Sequence, residues 1–101
     1  PSFQAGAVVK TFPDYKDQIR WVHLGSANWP DPTYGAENKP IGAGGMPAFG
    51  QKSGGAFTDL EIAKIVRYER EGLAAAEPEP DLVAITEGAS PPLDDTGKPT
   101  G

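Results

Sequence analysis

The chain has 101 residues, no cysteine and a formal charge of −5, which allows one small domain and excludes disulfide stapling, zinc–thiolate sites and thiol catalysis. Residues 1–76 carry eight acidic and eight basic side chains, so the acidic excess lies in residues 77–101, where six carboxylates stand against Lys98 alone. There is no clustered Lys/Arg stripe of the kind that reads nucleic acid, and no apolar run approaches the roughly 18 residues of a membrane span.

Residues 1–12 start irregularly and then carry a short apolar run, Ala7, Val8 and Val9. Its length leaves a strand and a helical turn equally open. The chain begins at Pro1 with neither an initiating methionine nor a signal-peptide pattern, and reads as a mature fragment or part of a longer reading frame.

Residues 14–24 (DYKDQIRWVHL) predict a helix. Asp14 after Pro13 is a good N-cap, and Asp17 in the first turn suits the positive end of the helix dipole. Tyr15, Ile19 and Val22 share one face, and Gly25 stands where a left-handed C-cap belongs.

Residues 26–56 are rich in glycine and proline and show neither a helical nor a strand period. Loops this long are uncommon in compact domains and are usually functional or disordered. Trp29, Tyr34, Met46 and Phe49 lie within it, and disordered chains are poor in such residues. The composition fits a loop wrapped around something.

Residues 58–71 (TDLEIAKIVRYERE) predict the most strongly encoded helix. Thr58 and Glu61 form a capping box, and Phe57 and Ile62 occupy the positions of a hydrophobic staple. Ile62, Ile65 and Val66 make one apolar stripe, with Lys64, Arg67 and Glu71 opposite, and Gly72 is expected to stop the helix. Residues 74–101 are acidic, proline-rich and nearly free of aromatics, with one weak apolar patch at Leu82, Val83, Ala84 and Ile85. This composition predicts a disordered tail.

Several chemistries find no support. The carboxylates form no catalytic pair, the serines lack a base partner, and the G-A-G-G of residues 42–45 is followed by no Walker lysine, so the chain does not read as an enzyme. His23, the only histidine, reads as a helix-terminal or surface residue.

The order of a helix ending at Gly25, a Gly-rich loop with G-G-M-P-A-F-G, and a capped helix with E-I-x-x-I-V-x-Y resembles the rear of a class I c-type cytochrome. The residues carrying the likeness are Gly45 to Phe49, then Phe57, Thr58, Asp59, Glu61, Ile62, Val66 and Tyr68, with Pro1-Ser2-Phe3 similar to the family's G-P-x-L segment. The likeness spans roughly residues 1–72.

The resemblance implies electron transfer, with Met46 as the axial iron ligand and Pro1, Trp29, Tyr34, Gly45, Pro47 and Phe49 around haem c. It implies an all-α, cytochrome c-like but incomplete fold: two or three helices around a long Gly-rich loop in residues 1–73, then a disordered tail. It also implies transient redox protein partners, a place outside the cytoplasm and a possible tether to a membrane complex. The chain departs from the family in lacking C-x-x-C-H, so haem c is expected only if that segment is supplied from in front of Pro1. The alternatives are a haem-free, cytochrome-like interaction or structural subunit, or a fragment without independent function whose Ile62/Ile65/Val66 stripe lacks a partner.

Overall fold

The computed structural model describes residues 7–41 and 46–100, and Pro1 and Gly45 lie outside them. The apolar run at the start forms helix α1 (Ala7–Thr11), and α2 (Tyr15–Leu24) follows at once. Asp14 caps α2 as its position predicts, its Oδ1 accepting from the Lys16 amide at 2.9 Å. The C-cap, Gly25, has φ +66°.

Helix α3 (Asp59–Arg67) opens with the expected capping box. The Glu61 amide donates to Thr58 Oγ1 at 3.2 Å, and the Thr58 amide donates to Glu61 Oε1 at 2.9 Å. Gly72 does not stop the helix. The chain widens after Arg67 into a π turn over Tyr68–Leu73, and Gly72 lies inside it. The extra residue of a π turn changes which side chain faces inward. Here it turns Arg70 in, where only 2% of the residue is exposed. Its guanidinium donates to the carbonyls of Phe12 and Pro13 at 2.6 and 3.2 Å and to Gln18 Oε1 at 3.1 Å. Arg70 therefore staples the α1–α2 junction to the end of α3.

The all-α expectation, with two or three helices and a disordered tail, is overturned at both ends of the helical core. The loop after α2 folds into a two-stranded antiparallel sheet, β1 (Thr33–Tyr34) against β2 (Lys39–Pro40), with Thr33 opposite Pro40 and Tyr34 opposite Lys39. Its turn uses left-handed backbone at Gly35 and Asn38, residue types that tolerate it. The acidic segment carries a fourth helix, α4 (Pro80–Thr86), started by Pro80 at the position where a missing N–H costs nothing.

Leu82 and Ile85, three residues apart, form the buried face of α4. They join Ile19 and Val22 of α2 and Ile62 and Val66 of α3 in the main core. The apolar stripe of α3 thus finds its partners within the chain. After α4, Leu93 also enters this core, and residues 92–100 close into a turn held by Asp94. Asp94 Oδ1 accepts from the Thr96 hydroxyl and from the amides of Thr96 and Lys98. These bonds, the Thr96 hydroxyl first, hold its carboxyl down at about 2. A second, smaller cluster of Val8, Phe12 and Ala74 is covered by Trp21 and Tyr34.

Candidate functional site

An α-helix leaves its last four carbonyls without internal partners. In α2 these belong to Trp21, Val22, His23 and Leu24, and each finds a donor. The Gly25 amide donates to Trp21 O at 2.9 Å, and the Asn28 side chain donates to Leu24 O at 3.0 Å. The remaining two are taken by the loop that follows Met46: the Phe49 amide donates to Val22 O at 3.0 Å and the Gly50 amide to His23 O at 3.1 Å. The Ser26 amide donates back to Met46 O at 2.9 Å. Residues 46–50 therefore cap α2 from a distance in sequence, and Met46 sits on backbone anchored at three points.

Met46 and Phe49 are half-buried and pack against the main core. Pro47 is exposed between them. The Phe49 ring lies 5.8 Å from Phe57, and the Phe57 amide donates to Phe49 O at 3.0 Å, tying the loop to the start of α3.

Tyr34 belongs to the other cluster, and Trp29 meets that cluster through Trp21. Tyr34 stacks on Trp21 with ring centroids 4.1 Å apart, and Trp29 meets the edge of Trp21 at 5.3 Å. The Trp29 indole N–H donates to Thr33 O at 2.8 Å, and the Arg20 guanidinium covers its ring at 5.0 Å. Among the residues read from the sequence, the structure thus groups Met46 with Phe49, and Trp29 with Tyr34. Tyr68, one of the residues that carry the cytochrome likeness, is 61% exposed.

His23 ends α2 as expected but is buried, at 2% exposure. Its Nε2 faces Leu93 O at 3.2 Å and Asp59 Oδ1 at 3.6 Å. A carbonyl only accepts, so Nε2 carries the proton. The side chain ties α2 to the start of α3 and to the C-terminal turn, and it lines a cleft of about 340 Å³ with Lys52, Thr58 and Asp59. Its acidic neighbour lies 36 positions away in sequence (59 − 23), so no local pattern marks the pair.

The donor chemistry is limited. The chain has no cysteine, and Met46 is its only methionine. Among the described residues no three His, Cys, Asp or Glu side chains gather around a common point. His23 Nε2 is engaged with Leu93 O, and Nδ1, the nitrogen with the free lone pair, faces the backbone of Gly50. The described residues fit one soft thioether ligand on an anchored loop, and a chain without cysteine does not fit covalent haem attachment.

The sequence marks Met46 and the α3 cap, and it gives no sign that Gly25 and Gly50 lie against the Met46 loop. Gly25 was legible only as a helix cap, because its contacts with residues 46–48 are set by the tertiary fold. Compared with known proteins, the chain matches no family model, no curated protein and no solved structure.

Proposed function

We propose that this chain serves one-electron transfer as a module of a c-type cytochrome, with Met46 supplying one axial ligand to haem iron. The observation that carries the proposal is the pairing of the G-x-M-P-A-F sequence with an anchored loop: the chain's only methionine stands on backbone held to the end of α2. A ligand on fixed backbone is held near its bonding position before the metal arrives, which lowers the ordering cost of binding.

When bound, the haem iron supplies the ferrous–ferric couple. The residues of this chain do the rest of what is proposed for it. The Met46 thioether favours reduced iron and raises the potential. Pro47 restricts the backbone beside it, and Phe49, packed on the core, keeps water from one side of the loop. The cysteines and the histidine ligand come from outside this chain. Its partners are redox proteins that dock weakly and transiently, and its place is outside the cytoplasm.

The test is to titrate the chain with a small haem peptide whose iron carries one histidine and an open axial position. The oxidised mixture is expected to gain the weak long-wavelength band of methionine–iron ligation, and Met46→Ala is expected to lose it. No such band at saturating peptide overturns the proposal.

One observation favours a second reading, a haem-free interaction or structural subunit. Ile62, Ala63 and Val66 are fully buried against α2 and α4, so the α3 stripe is satisfied without a further helix. This reading expects a colourless, stably folded chain that ignores the haem peptide.

A further inference from the structure

Helix α2 ends on backbone that only glycine takes easily. Gly25 has φ +66° and ψ −178°, far from the left-handed helical region that asparagine tolerates. It is also buried against the loop. A Cβ on Gly25 stands 2.5 Å from Met46 O, and 2.7 Å from both Pro47 C and Ala48 N. All three are backbone atoms, so no side-chain rotation relieves the contact. The loop itself has to move.

A second close approach lies at the other end of the same loop. Gly50 has ordinary extended backbone, φ −74°. A Cβ there stands 2.5 Å from His23 Nδ1 and 3.1 Å from His23 O, the carbonyl that accepts from the Gly50 amide. On the side facing α2, residues 46–50 thus lie in a slot whose depth is set by two missing side chains.

We infer that Gly25 and Gly50 are the positioning residues of the Met46 loop: the absence of a side chain at each lets the loop sit directly on the last carbonyls of α2 and fixes where Met46 stands. The functional meaning rests on the reading of Met46 as a ligand, but the positioning itself does not.

The slot is tested without haem. Met46 is the only methionine, so a chain labelled at the methionine methyl gives one unambiguous NMR signal. Gly88→Ala is the control, since Gly88 has φ +84° but open space around its Cβ. It carries a positive φ without the contact. Gly25→Ala is expected to shift the Met46 methyl signal and to speed amide exchange at Ser26, Phe49 and Gly50 by about tenfold or more, as lost hydrogen bonds require. Gly88→Ala is expected to leave these signals in place. If Gly25→Ala does not fold, Gly50→Ala serves, with no backbone strain and a smaller shift in the same direction.

Unchanged exchange at Phe49 and Gly50 in the folded variant overturns the inference, and so does an equal response to Gly88→Ala. The two readings fail separately. A displaced loop in Gly25→Ala, together with a wild-type chain that does not ligate the haem peptide, leaves the slot standing and removes the ligand role.

Discussion

Replacing Leu82 by alanine asks whether the acidic C-terminal segment is part of the fold. Leu82 is 1% exposed and packs in the main core with Ile62 and Val66. Truncating a buried leucine to alanine costs roughly 2–5 kcal/mol, through lost transfer energy plus the cavity left behind. The site is closed by the buried face of α3, which limits collapse, so the expected loss is about 3 kcal/mol. Against a total of roughly 5–15 kcal/mol for a small domain, that is a large share. At roughly 4–8 °C per kcal/mol, the melting midpoint falls by about 12–24 °C. The assay is urea unfolding followed by the fluorescence of Trp21, in the other cluster, and of Trp29 against it, so the signal reports the whole fold. Leu73→Ala is the control, because Leu73 is 41% exposed, and it is expected to change stability by less than about 0.5 kcal/mol. If Leu82→Ala is as mild as Leu73→Ala, the segment is not folded onto α3 and the reasoning fails.

Other perturbations probe separate parts of the account. Thr58→Ala removes half of the capping box and is expected to cost about 1 kcal/mol in the same unfolding assay. Arg70→Met leaves the carbonyls of Phe12 and Pro13 without their buried donor, and is expected to cost at least about 2 kcal/mol. Burial raises the Glu69 carboxyl above its ordinary 4.5, and the hydrogen bond from Gln18 only partly opposes this. The folded chain therefore holds that proton more tightly than the unfolded chain. The resulting stabilisation is complete below 4.5 and is lost as pH rises through the raised value. Glu69→Gln keeps an acceptor for Gln18 and removes the charge, so it is expected to raise the melting midpoint at neutral pH, with the gain shrinking in acid. A gain that grows in acid contradicts the assignment.

Local codes were legible where a residue acts on its own neighbours. Asp14, the Thr58–Glu61 box and the spacing of Ile19, Val22, Ile62 and Val66 mark α2 and α3, because caps and helical faces are read within a few positions. The fourth helix was not legible. Leu82 and Ile85 form a correct helical pair behind Pro80, but they are only two apolar positions among acids and prolines, and their burial depends on packing against α3. The β1–β2 pair is two residues long on each strand and is likewise set by its surroundings. The same division runs through the site. Met46 and its flanking residues stand out as a motif, whereas the caps on Val22 O and His23 O come from residues 49 and 50. The inward turn of Arg70 depends on a π turn that no local pattern marked.

The Met46 methyl group reports iron ligation directly. Labelled chain is mixed with the histidine-bearing haem peptide in its reduced, diamagnetic state, and the single methionine signal is followed. Ligation places that methyl over the porphyrin, so a large upfield ring-current shift that saturates with added peptide is expected. A methyl signal that keeps its haem-free position at saturating peptide contradicts the assignment of Met46 as an iron ligand.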